Sequence, residues 1–129
     1  MVLGFALDRP TREVQDLAGR YFSAVERKDL EAALETLAPA ERARWAGWVD
    51  DQTGNHYQVE GLAVRTPPLL ARLAGASGDP IEATITARIT LENGEQWPRP
   101  GVTVVRLRRE GGRLYFLEPP YRPAEGPGQ

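Results

Sequence analysis

The chain has 129 residues, a length that fits one domain. Its hydrophobic content of 41% and charged content of 26% suit a packed core and exclude disorder over most of the length. A net charge of −2 supplies no field that would attract nucleic acid, and the absence of cysteine excludes disulfides, thiolate metal sites and cysteine nucleophiles. No apolar run approaches the roughly 20 residues that span a bilayer, and Val2–Leu7 lacks the basic flank of a signal peptide. A cytoplasmic location is expected.

Pro10 suits the first turn of a helix. Val14, Leu17, Ala18, Tyr21, Phe22 and Val25 then recur with helical spacing and form one apolar stripe. Asp29 is placed to cap a second helix with Leu30, Ala33, Leu34 and Leu37 on its buried side, ended by Pro39. A third helical piece over about 40–49 sets Trp45, Trp48 and Val49 on one side, before a polar loop at 50–55.

From His56 the period changes to two. Tyr57 and Val59 are apolar in one phase and Leu62 and Val64 in the other, which predicts a β-bulge at Gly61. Pro67-Pro68 should bend or interrupt this strand, Leu69 to Leu73 either resume it or form a helical turn, and 75–80 should turn. Strict alternation over 81–91 predicts the clearest strand, with Ile81, Ala83, Ile85, Ala87, Ile89 and Leu91 on one face. Asn93-Gly94 favours a tight type I′ hairpin. A strand over 102–109 should turn at Gly111-Gly112 and pair Leu107 with Phe116 and Arg108 with Tyr115. The Pro/Gly-rich stretch from Pro119 to Gln129 is expected to be a loose tail beyond a domain spanning 1–118.

The segment Arg20-Tyr21-Phe22-Ser23-Ala24-Val25-Glu26-Arg27-Lys28-Asp29-Leu30, with its helical aromatics and the Asp-Leu that opens the next helix, resembles the nuclear transport factor 2-like superfamily. The element order extends this resemblance over about 10–118. Leu37 through Trp45-Trp48 to Val59-Glu60-Gly61-Leu62 is also similar to the C-terminal domain of a mitochondrial inner-membrane import subunit within that superfamily. The resemblance implies an α+β fold, a cone of N-terminal helices on a curved antiparallel sheet. Its members include ketosteroid isomerases, scytalone dehydratase, polyketide cyclases and non-catalytic domains, so fold alone does not fix function.

By that resemblance Tyr21 matches the helix-1 tyrosine that helps form the isomerases' oxyanion hole. No aspartate follows on an inward strand position: Asp8, Asp16, Asp29, Asp50, Asp51 and Asp79 all fall in predicted helices, caps or loops. An acid–base lyase or isomerase would need Glu60, Asp50, Asp51 or the single histidine, His56, to reach the pocket beside Tyr21. Tyr21 is otherwise a core tyrosine, and His56 a strand-start residue. Tyr57, Trp45 and Trp48 either line an apolar ligand pocket or close the core. Gly75-Ala76-Ser77-Gly78-Asp79 lacks the final glycine of a nucleophile elbow and reads as a turn. One histidine and no cysteine leave no zinc constellation, and no cofactor is expected.

Arg106, Arg108 and Tyr115 on the last hairpin, with Thr84, Thr86 and Arg88, read as a solvated outer sheet face or a surface for a partner or homodimer, the pairing implied by the superfamily. Pro120-Tyr121-Arg122-Pro123 fits a Pro-x-x-Pro pattern that arises readily by chance. The leading expectation is therefore a non-catalytic domain binding a small apolar molecule or a protein partner.

Overall fold

The computed structural model describes residues 9–65 and 81–121. The expectations for 66–80, including the prolines at 67 and 68 and the turn around Ser77, lie outside the described residues, as does 122–129.

Helix α1 (Arg9–Glu26) buries the whole predicted stripe, Val14 to Val25, at 5% exposure or less. Each large side chain in it contributes roughly 1.5–3 kcal/mol on full burial. The helix ends in a Schellman arrangement: the Lys28 N–H donates to the Val25 carbonyl and the Asp29 N–H to the Ala24 carbonyl. Lys28 occupies the left-handed position at φ 62°, where glycine is the ordinary choice. Asp29 then caps α2 (Leu30–Leu34), accepting from the Ala32 N–H at 3.1 Å.

Helix α2 is one turn long and ends before Leu37. The chain over 36–38 instead runs beside β4: the Phe116 N–H donates to the Thr36 carbonyl and the Ala38 N–H to the Phe116 carbonyl. A 3₁₀ turn (Pro39–Glu41) leads into α3 (Arg42–Gln52), which takes in part of the stretch expected to be loop.

Strands β1 (His56–Arg65), β2 (Ile81–Thr90), β3 (Gly101–Glu110) and β4 (Arg113–Phe116) form one curved antiparallel sheet in sequence order. The predicted bulge is present: Val59 pairs with Ala87 and Gly61 with Thr86, leaving Glu60 as the extra residue. Leu107 faces Phe116 and Arg108 faces Tyr115, as the two-glycine turn requires, with Gly111 and Gly112 both at positive φ. The turn at Asn93-Gly94 differs from expectation. Gly94 alone has positive φ, its N–H donates to the Leu91 carbonyl, and the Leu91 N–H donates to the Glu95 carbonyl, so the loop is three residues rather than a type I′ pair.

The loose tail expected from Pro119 does not begin there. Pro119 and Pro120 are fully buried, and Tyr121 packs against Phe22, Tyr57 and Trp97. Residues 117–121 cover the edge of β3 beyond the end of β4. The Leu117 N–H donates to the Arg106 carbonyl, Glu118 accepts from Arg106 N and Nη2, and the Tyr121 N–H donates to Thr103 Oγ1.

The Lys28 position yields a test. Lys28→Gly should raise stability by about 0.5–1 kcal/mol, because relief of the left-handed strain outweighs both the entropy of glycine and an exposed ion pair to Glu92. Thermal denaturation should show an increase of about 2–4 °C in Tm.

Candidate functional site

The concave interior is lined by an aromatic row. Tyr21 meets Phe22 edge-on at 5.5 Å and Phe116 at 6.1 Å, while Phe22 stacks on Tyr57 at 4.7 Å. Tyr57 stacks in turn on Tyr121 at 5.4 Å, and Trp97 closes the row edge-on at 6.3 Å. Small residues make room for these rings: Ala83 and Ala87 on β2 are fully buried, and Gly101 carries Trp97 so closely that a Cβ there would sit 2.8 Å from its ring.

Three side-chain polar atoms are fully buried and lack a hydrogen-bond partner: Tyr21 Oη, which belongs to this interior, and Trp45 Nε1 and Trp48 Nε1 on α3. Tyr21 projects from the buried face of α1. Trp45 and Trp48 stand one turn apart on α3, and both pack against the same core cluster. An indole N–H only donates, and the Tyr21 hydroxyl stays protonated because burial, helped by nearby Tyr57, pushes its pKa well above the usual tyrosine range. Leaving such a donor buried and unpaired costs about 1–3 kcal/mol. Tyr57, by contrast, is satisfied: its hydroxyl lies 3.4 Å from Gln52 Oε1, and burial raises its pKa too.

The acid–base candidates are elsewhere. Glu60 does not turn inward at the bulge; it is exposed and pairs with Arg88 on the outer face. His56 also faces outward, opposite Thr90, and pairs with Glu26. Asp50 and Asp51 are exposed on α3. The physical reason is that outward positions offer water, and for Glu60 and His56 a side-chain partner, that the apolar interior lacks. Among the described residues no three His, Asp or Glu side chains are grouped to hold a metal ion, and no helix is long and apolar enough to cross a membrane.

Thr84, Thr86, Arg88, Arg106 and Arg108 share the outer sheet face with Tyr115, which lies between the Arg42 and Arg113 guanidinium groups at 5.8 Å each. Val102 on this face is 63% exposed. A cleft of about 500 Å³ lies on the solvent side of α1, lined by Asp16, Arg20, Arg27, Glu35 and Arg113 among others. A smaller one, about 80 Å³, lies by His56, Arg88 and Trp97. Neither cleft includes Tyr21, Trp45 or Trp48. The buried donors therefore mark the candidate site better than the surface clefts do.

Phe22, Gly101 and Tyr121 belong to the interior and were not singled out by sequence as site residues. For Tyr121 the one local sign is an aromatic after two stiff prolines, since its partner Thr103 lies on another strand.

No protein-family model and no curated protein matches the chain. Solved structures do. A nuclear transport factor 2-like protein from Streptomyces avermitilis, provisionally named a dehydratase, superposes with TM-score 0.64 at 14% identity, covering 84% of this chain and 91% of its own. A protein of unknown function from Nostoc punctiforme with a cystatin-like fold gives 0.57 at 18%, covering 92% and 91%. A nuclear transport factor 2-like protein with that fold from Novosphingobium aromaticivorans gives 0.61 at 17%, covering 83% and 77%. The helices packed on the curved sheet, with their aromatic-lined interior, thus form a nuclear transport factor 2-like, cystatin-like fold.

Proposed function

We propose that this domain binds a small, mainly apolar molecule bearing an acceptor oxygen, held in the cone interior by Tyr21, Trp45 and Trp48. The observation that carries this reading is the set of three buried, unpartnered donors. An apolar wall with a few placed polar groups is the usual make-up of a small-molecule site. A carbonyl or ether oxygen would satisfy donors that the chain itself leaves open, while the aromatic row supplies the apolar contact.

The acid–base alternative is the weaker one. General-base catalysis needs a proton acceptor within about 3 Å of its substrate proton. Among the described residues Glu60, His56, Asp50 and Asp51 are all exposed, and the buried unpartnered set includes no carboxylate or imidazole.

A second reading concerns the outer sheet face. Its exposed Val102 sits with Thr84, Thr86 and residues of both charges, including Glu60, Glu82, Arg88 and Arg108. A face carrying both signs and an apolar patch suits pairing with a second copy, since a two-fold interface must complement itself.

Three outcomes test these readings. By calorimetry, 2-tetralone should bind about threefold to tenfold tighter than the hydrocarbon tetralin, one net hydrogen bond's worth, and Tyr21→Phe should reduce that preference. Equal affinities for ketone and hydrocarbon in the native chain would contradict the donor site. Burial raises the pKa of Tyr21, Tyr57 and Tyr121. The unfolded chain therefore releases protons above about pH 10 that the native chain keeps, and stability present below that pH falls as pH rises. A Tyr115→Phe variant, retaining those three of the four tyrosines, should gain tyrosinate absorbance at 295 nm only as it unfolds. For the outer face, light scattering should show mass rising with concentration toward twice 14.3 kDa, and Val102→Lys should hold it at one chain. A single-chain mass at every concentration would contradict pairing.

A further inference from the structure

Tyr121 occupies its place in the interior as a ligand would. Its ring lies face-on to Tyr57 at 5.4 Å and edge-on to Trp97 at 6.3 Å. Its hydroxyl donates to the Gly101 carbonyl at 2.8 Å, with the Ile85 carbonyl at 3.4 Å. Two aromatic walls and a carbonyl acceptor at the far end form a complete recognition set for a phenol.

The segment that delivers this ring packs its prolines into the protein but makes no backbone ladder to β3. Pro119 and Pro120 have no N–H to offer β3, so no ladder can continue past Leu117 through them. Beyond Leu117 the hold on β3 among the described residues comes from side chains: Glu118 against Arg106, the Tyr121 N–H on Thr103 Oγ1, and the Tyr121 ring itself. Tyr121 sits at φ 62°, a left-handed conformation that a tyrosine rarely adopts. Trp97, which forms one wall, is 45% exposed, so the slot borders solvent on that side.

We infer that the place held by the Tyr121 ring is a binding slot for a hydroxylated planar aromatic molecule, and that Tyr121 is its intramolecular competitor. A phenol entering beside Trp97 would take the Gly101 carbonyl as acceptor and stack on Tyr57, releasing Tyr121 from its strained position. This slot is distinct from the donor set of Tyr21, Trp45 and Trp48: it supplies acceptors, and it recognises a donor.

The test uses p-cresol, the free counterpart of the tyrosine side chain, with toluene as the probe lacking the hydroxyl. A competitor that closes the slot most of the time lowers apparent affinity by the open fraction. Tyr121→Gly should therefore bind p-cresol about tenfold or more tighter than the native chain, and Tyr121→Phe, which loses only the hydroxyl's bonds to the Gly101 and Ile85 carbonyls, should fall between them. Toluene should bind Tyr121→Gly roughly threefold to tenfold more weakly than p-cresol does. The gain in p-cresol affinity from Tyr121→Gly should persist in a Tyr21→Phe background, which separates this slot from the donor site. Equal p-cresol affinity in the native chain and a folded Tyr121→Gly variant, or no binding to that variant, would overturn the inference. The native chain offers a second readout that needs no variant. The Tyr121 amide, bonded to Thr103 Oγ1, should lose its hydrogen-exchange protection as p-cresol saturates, and unchanged protection at saturation would overturn the inference equally.

Discussion

Two neighbouring residues of one helix reach both edges of the sheet. Tyr21 meets Phe116 on β4, and Phe22 stacks on Tyr57 of β1, the strands at opposite ends of the order β1-β2-β3-β4. Both contacts are met from one turn of α1, so the sheet must curve around the helix rather than lie flat beneath it. Other features follow from that curvature. Ala83 and Ala87 are small where the concave face is most crowded, and the bulge at Glu60 lets β1 bend while returning Leu62 and Val64 to the inner face. The site inherits its character from the same constraint. An interior closed by rings on both sides has apolar walls, against which the Tyr21 hydroxyl is buried without a partner.

This arrangement separates charge from the interior more completely than the fold resemblance alone would imply. Several carboxylates find side-chain partners outside: Glu60 pairs with Arg88, Glu13 with Arg109 and Glu26 with His56. Glu118 is the exception in burial, at 3% exposed, and it spends its oxygens on Arg106 rather than on the cone. A fold that can host proton transfer here presents hydrogen-bond donors from its helices and a carbonyl acceptor from β3. Such a surface can orient a ligand with both kinds of group.

Much of the fold was legible in the residue pattern because short-range physics controls it. The α1 stripe follows helical period, β2 follows strict alternation, and the phase change between Val59 and Leu62 marks the bulge. The direction in which Glu60 points was not legible, because it depends on Arg88, which lies 28 residues away and becomes a neighbour only through pairing. Helix α2 is shorter than its apolar spacing suggests, since Leu37 is recruited to β4 and the Thr36 hydroxyl bonds the Ala33 carbonyl. Tyr121 was hidden by composition: prolines and glycines around it read as loose chain, whereas its partners Thr103, Gly101 and Tyr57 come from distant strands.

The indole N–H groups of Trp45 and Trp48 are buried without partners, and the proposed donor site depends on their lining the cone. The chain has three tryptophans, and the third, Trp97, borders solvent. Nitrogen-15 correlation spectra resolve each indole N–H directly during titration with a small ketone. The proposed donor site predicts that the Trp45 and Trp48 signals move downfield together with saturation while Trp97 stays in place. Movement of Trp97 alone, or fast solvent exchange of the Trp45 and Trp48 protons in the free protein, would contradict it.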